Sequence, residues 1–139
     1  MGKQVSAFAN DAMGNMDAVA MAEAIKSKQV SVREINEAAI ERAEKANIDL
    51  NAIAIKTYNE ALNEKQLVHN GPFYGIPTFI KDNDHVKGYP TQLGTGAFSA
   101  KKAKRNSKFV NQFLSCGFSF LGKSTMPEFG LICSTENEK

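Results

Sequence analysis

The sequence predicts an α/β layered fold, and three observations lead there. Two stretches near the front carry apolar residues at helical spacing, short β-forming apolar runs follow them, and further helical patterns alternate with those runs. A chain of 139 residues that is 42% hydrophobic and 23% charged fits one globular domain. At this size it can bury roughly two thirds of its unfolded surface.

Residues 1–16 are polar, contain glycine and show little periodicity, so they read as a loose lead-in. Residues 17–47 read as a helical pair. Asp17 can cap a first helix whose apolar side chains are Ala18, Met21, Ala22 and Ile25. Ser31 and Glu34 then make an S-x-x-E capping box. Behind it Val32, Ile35, Ala39, Ala43 and Ala46 form one apolar stripe, with Arg33, Glu37, Glu41 and Glu44 expected to face water. Both stripes are core-facing surfaces.

Residues 48–139 form the α/β part. Leu50 to Thr57 alternates and predicts a short strand, with Ile53 and Ile55 on one face. A polar helix is expected over about 58–68, ended by the turn signal Asn70-Gly71-Pro72. Thr78-Phe79-Ile80 reads as a buried strand that stops at Lys81-Asp82-Asn83. Residues 84–105 are rich in small residues, Gly and Pro, and read mainly as loop. Asn106 or Ser107 can cap a helix carrying Phe109, Val110, Phe113 and Leu114, stopped by Gly117. Phe118 to Leu121 is a further strand, followed by Gly122-Lys123-Ser124 and a second loop.

The net charge of +2 does not argue for nucleic acid. The basic run Lys101, Lys102, Lys104, Arg105 and Lys108 lacks interleaved aromatics and reads as a solvated loop and helix start. Cys116 and Cys133 do not have metal-ligand spacing, and their apolar neighbours predict buried, reduced thiols, as in a cytoplasmic protein. No stretch is apolar enough for a signal peptide or a membrane span. Met1 to Ser6 matches the short N-myristoylation pattern, which occurs often by chance, so the chain is read as soluble.

Two motifs bear on chemistry. Gly117 to Ser124 satisfies G-x-x-x-x-G-K-[ST], the phosphate-binding loop. That loop needs a strand before its first glycine and a small flexible turn between the glycines. Here a helix precedes Gly117, and Phe118, Phe120 and Leu121 call for burial, so a helix–glycine–strand is the better reading. Lys81 ends an apolar strand and precedes a carboxylate. The ordinary role there is a surface lysine paired to Asp82. Held in a dry site, a lysine would instead favour its neutral amine and could accept a proton.

The segment from Gly71 to Asn83, G-P-F-Y-G-I-P-T-F-I-K-D-N, resembles the G-P-L-x-G-I-P-x-x-x-K-D segment of the amidase signature family. The resemblance continues through Phe109-Val110, Gly117 and then Leu121 to Gly130, L-G-K-S-T-M-P-E-F-G, and reaches a similar "STEN" at Ser134 to Asn137. The paired helices, Arg42 and Leu50-Asn51-Ala52 are similar to the family's opening. Together the matches run over about residues 17–139.

This resemblance implies an N-terminal part of the amidase-signature fold, a mixed sheet layered between helices. It implies that Lys81 is a general base acting through a cis serine on a nucleophilic serine, with no metal or organic cofactor. Gly130, Leu131, Cys133 and Ser134 are implied to line the acyl side of the substrate pocket. The family's two serines lie in a G-G-S-S-G-G segment after "STEN", and no such segment occurs up to Lys139. Ser124 and Ser134 lack the flanking glycines of the oxyanion turn. The resemblance therefore implies a piece of an enzyme that hydrolyses a small carboxamide, inactive by itself. A second reading is the amidase subunit of a transfer-RNA amidotransferase, although Leu131-Ile132-Cys133 is bulkier than that subunit would carry. A third is a non-catalytic module that self-associates or exchanges elements with a second copy.

Overall fold

The protein is described by a computed structural model, which covers residues 4–63, 67–68 and 70–137. Two helices open the fold. Asp17 caps α1 (Ala18–Lys26) by accepting from the Ala20 amide at 2.8 Å, and the helix buries Met21 and Ala24. The expected capping box starts α2 (Val32–Leu50): Ser31 Oγ accepts from the Glu34 amide while the Glu34 carboxylate accepts from the Ser31 amide. The Ser31 hydroxyl, which also donates to that carboxylate at 2.7 Å, and then the Ser31 amide hold the Glu34 carboxyl below its usual range. Val32, Ile35 and Ala39 of the expected stripe are buried, Ala43 and Ala46 are half-buried, and the buried face also takes in Asn36 and Ala38. The Asn36 side-chain amide donates to the carbonyls of Val32 and Gly75, both at 2.9 Å, and so fastens the helix to the turn before the sheet.

Two details of this region differ from the sequence expectation. Asp11 and Arg42 form a two-pronged ion pair, with both N–O distances 2.6 Å, and Arg42 also donates to the Gly14 carbonyl. Met13 and Met16 pack against the Met21, Ile35 and Ile76 cluster, so the end of the lead-in is fastened to the helices. Glu44 is half-buried, because Lys56 and the Tyr58 hydroxyl both donate to its carboxylate. Lys56, then Tyr58, hold the Glu44 carboxyl below its ordinary value, while burial and then Glu44 push the Tyr58 hydroxyl up.

Asn51, in left-handed conformation at φ 45°, ends α2 and turns the chain into β1 (Ile53–Lys56). The strand is shorter than its apolar pattern because Asn47 Oδ1 takes up the Ile53 amide at the turn. The polar helix that follows, α3 (Tyr58–Ala61), is a single turn, and residues 64–66 of the expected element lie outside the described residues. β2 (Pro77–Lys81) forms as predicted but is only partly buried: Ile80 is enclosed, whereas Thr78 and Phe79 are half-exposed. After a long loop, Ser107 caps α4 (Lys108–Ser115), which Gly117 follows at φ 96°. Phe109 of α4 is exposed and stacks along the helix on Phe113, while Val110 is fully buried.

β3 (Ser119–Ser124) runs further than expected, straight through Gly122-Lys123-Ser124. It is the central strand of a sheet ordered β1-β3-β2, antiparallel to β1 and parallel to β2, so ladders on both sides hold its whole length. Gly122 permits this. At φ 151° a side chain there would put its Cβ 2.0 Å from the Ile55 carbonyl oxygen. The strand passing through this stretch rules out the phosphate-loop reading in space as well. Three apolar clusters flank the sheet, centred on Ile35 with Ile76, on Leu121 with Ala39, and on Ile80 with Val110. Each enclosed Ile, Leu or Val side chain contributes about 1.5–3 kcal/mol.

Candidate active site

β2 and β3 run parallel, so both release the chain at the same edge of the sheet. In open sheets of this kind ligands bind outside the carboxyl ends of the strands. The two segments that the sequence singled out both leave from this edge. Lys81 is the last residue of β2, in register with Ser124, the last of β3. The chain beyond β3 leads through Met126 and Pro127 into a short turn, Glu128–Gly130, and then to Leu131, Cys133 and Ser134.

Lys81 is exposed, and the described residues do not enclose it in a dry site. Gly130, Leu131, Cys133 and Ser134 are exposed too, with Leu131 80% accessible. The exposure of Cys133 overturns the expectation of a buried thiol, and Cys116 is only half-buried. The reason is local: Cys133 lies in a stretch over which none of the described residues packs, and its apolar neighbours Leu131 and Ile132 are themselves in solvent.

The expected surface pairing of Lys81 with Asp82 does not form. Successive residues of an extended chain point to opposite sides. Asp82 turns inward, is 3% exposed, and meets Lys123, which is fully buried, at 2.6 Å between Oδ1 and Nζ. The Lys123 ammonium also donates to the Pro90 carbonyl at 2.8 Å and to Thr91 Oγ1 at 2.9 Å. The ammonium therefore has two hydrogen-bond acceptors and a carboxylate at ion-pair distance. The other carboxylate oxygen of Asp82 accepts from the Gln92 amide at 3.0 Å. The backbone of Asp82 is held as well, its amide donating to the Ser124 carbonyl and its carbonyl accepting from the Leu93 amide. Thr91 is shared with the His85 ring at 2.9 Å.

A second set of bonds ties this loop to the segment after β3. The Phe129 amide donates to the Leu93 carbonyl at 2.9 Å, and Thr95 Oγ1 donates to the Glu128 carboxylate. Leu93 at φ 57° and Phe129 at φ 52° both hold left-handed backbone, a strained state for such residues. A Cβ at Gly94 would lie 2.3 Å from the Met126 carbonyl oxygen, so the two segments are in close backbone contact. Sequence reasoning placed Lys81 at the end of a strand but missed the contacts that join Lys123, Asp82 and Thr91. The signal was a lysine inside a β-forming apolar run, in a strand that would have to be buried on both faces. Among the described residues no group of three His, Cys, Asp or Glu side chains gathers as metal ligands, and no helix is long and apolar enough to cross a membrane.

Comparison with known proteins places this geometry. The amidase family profile matches residues 34–139. AmiC of Mycobacterium leprae (strain TN), assigned as an amidase, is 38% identical over 135 residues, which is 97% of this chain and 29% of that protein. The 6-aminohexanoate-cyclic-dimer hydrolase of Paenarthrobacter ureafaciens is 33% identical over 127 residues, 88% of this chain and 25% of that enzyme. A solved structure of 6-aminohexanoate cyclic dimer hydrolase superposes with a TM-score of 0.78 at 33% identity, covering 88% of this chain and 26% of that one. A more distant relative is a glutamyl-tRNA(Gln) amidotransferase subunit of Methanosarcina mazei, 32% identical over 112 residues, 80% of this chain and 24% of that protein. The chain thus spans less than a third of the length of each of these relatives. With its mixed sheet, its helical pair and a profile match over most of its length, the chain belongs to the amidase family, the amidase-signature enzymes.

Proposed function

We propose that the protein is an amide hydrolase in which Lys81 is the general base. The observation that carries this is the placement of Lys81 at the carboxyl end of a parallel strand in a chain of the amidase family. A serine hydroxyl is a weak nucleophile until a base removes its proton. By resemblance to the family, the Lys81 amine takes a proton from a serine in a cis peptide bond, and that serine takes one from the nucleophilic serine. The nucleophile adds to the carboxamide carbonyl, and backbone N–H groups stabilise the oxyanion. The proton held by Lys81 returns through the cis serine to the nitrogen, which leaves as ammonia or an amine as the C–N bond breaks and the acyl-enzyme forms. Water then hydrolyses the acyl-enzyme to the carboxylate. Gly130, Leu131, Cys133 and Ser134 line the acyl side of the pocket. The serines belong to a glycine- and serine-rich segment that residues 1–139 do not contain, so this stretch by itself is inactive.

The test is turnover by the protein as its gene encodes it, on propionamide, benzamide, 4-nitroacetanilide and glutamine. Release of ammonia or amine that Lys81→Met abolishes supports the reading. Turnover that survives Lys81→Met sinks it, and so does an intact protein that cleaves none of the four. Glutamine as the one good substrate would favour the amidotransferase reading, which the Methanosarcina mazei relative supports and the bulky Leu131-Ile132-Cys133 opposes. The two thiols fit a reducing, cytoplasmic setting. Residues 1–139 purified alone are expected to self-associate, because Leu131, Ile132, Phe109 and Phe129 present apolar surface. Sedimentation giving a monomer at every concentration would refute that.

A further inference from the structure

The buried Lys123–Asp82 pair lies directly behind Lys81, and the bonds around it converge on the residue that follows that lysine. Asp82 is held at five points: its amide by Ser124, its carbonyl by Leu93, one carboxylate oxygen by Gln92, the other by Lys123, and its N-terminal side by the β2 ladder. Lys123 in turn donates to the Pro90 carbonyl and to Thr91 Oγ1, which draws the 90–93 loop against the sheet. That loop does not end the series. The Leu93 carbonyl takes the Phe129 amide, and Gly130 to Ser134 follow directly. One continuous set of bonds therefore runs from the end of β2, through the buried pair, to the segment after β3.

We propose that Lys123, Asp82 and Thr91 are positioning residues for catalysis, fixing both the direction of the Lys81 amine and its distance from the segment that holds the acyl group. This rests on the reading of Lys81 as the base. Neither partner of the pair exchanges a proton in the reaction. Their work is to stop β2 from extending or fraying at residue 82, since a displacement of the base of about 1 Å can cost on the order of a hundredfold in rate. The chemistry of the pair suits this. A buried lysine that donates to a carbonyl and a hydroxyl while paired to a carboxylate, itself held by the Gln92 amide, restricts the arrangement more than an apolar pair would.

The experiment compares Lys123→Met, Thr91→Val, Thr91→Ser and Lys81→Met in the protein as encoded, following 4-nitroaniline release from 4-nitroacetanilide at a temperature where circular dichroism shows each variant native. Lys123→Met is expected to lower kcat about a hundredfold and Thr91→Val about tenfold, with KM within about twofold of wild type. Thr91→Ser, which keeps the hydroxyl that Lys123 bonds, is expected to recover most of what Thr91→Val loses. A general loss of structure would not divide kcat from KM in this way or follow the hydroxyl. If Lys123→Met is not native at any working temperature, the Thr91 pair decides alone. Wild-type kcat in native Lys123→Met and Thr91→Val, beside a dead Lys81→Met, overturns the positioning role and leaves the base in place. A rise in KM at constant kcat overturns it too. Full turnover in Lys81→Met, or none in the wild type, removes the base reading and this proposal with it.

Discussion

Lys81 and Lys123 lie one register step apart on neighbouring strands, since Lys123 pairs with Ile80 and Lys81 with Ser124. Water reaches one and not the other. Lys81 is on the outer strand of the sheet, facing away from the described core, while Lys123 is on the central strand with strands on both sides and a carboxylate beneath it. The pair teaches that residue type and strand membership do not decide what a lysine does; the face it takes and the rank of its strand in the sheet do. Three other ion pairs extend the comparison outward: Arg42–Asp11 with side chains 11% and 17% exposed, Lys56–Glu44 at 45% and 44%, and Arg33–Glu37 at 60% and 49%.

The sharpest way to break the contrast is to remove each lysine and measure stability by urea unfolding. Lys123→Met strands a buried carboxylate and is expected to cost about 3–5 kcal/mol, against no more than about 0.5 kcal/mol for Lys81→Met. Equal costs would end the distinction. Combining Lys123→Met with Asp82→Asn should cost clearly less than the two single changes added, because the second change relieves the charge exposed by the first. Next comes the strand approach that encloses Lys123. Gly122→Ala forces the Ile55 carbonyl away and should cost about 2–4 kcal/mol, with the Lys123 amine becoming open to acetylating reagents. A Gly122→Ala protein as stable as wild type would show that β1 is not what closes over Lys123.

The intermediate case is set by pH. The Arg42 side chain is the chief reason that the Asp11 carboxyl titrates below its ordinary value of 3.8. The folded state therefore favours the ionised form, so the stabilisation is complete above the unfolded value and is lost as pH falls through the lower folded one. Asp11→Asn should cost about 1–2 kcal/mol near neutrality, with the difference from wild type shrinking below about pH 4. A difference that grows in acid would reverse the assignment. The smallest effect belongs to Glu37→Gln, about 0.3–0.5 kcal/mol, which should disappear in salt near 0.5 M.

Local chemistry made much of the fold legible. The Asp17 and Ser107 caps, the Ser31–Glu34 box and the breaks at Asn70-Gly71 and Gly117 act within one turn of chain, and the sequence displays all the partners. The apolar run Thr78 to Ile80 placed Lys81 at the end of a strand, and the resemblance over Gly71 to Asn83 singled that lysine out. What stayed hidden was decided by partners distant in sequence. Asp82 faces Lys123 across two strands, Asp11 waits for Arg42, and Glu44 is claimed by Lys56 and Tyr58. The length of β3 was hidden for the same reason, since two ladders, one on each side, override the glycine at 122 that in isolation reads as a stop. Cys133 misled because apolar neighbours signal burial only where something packs over them.

The rank of β2 has one more consequence. Among the described residues it has a ladder on its β3 side alone, which leaves the backbone N–H and C=O groups of its other side without a strand partner in this sheet. A further strand joining there would run directly beside Ile80 and Lys81. Sheet growth and enclosure of the amine would then be a single assembly event, and any sequence that failed to take up that position would leave the sheet open and the lysine wet together.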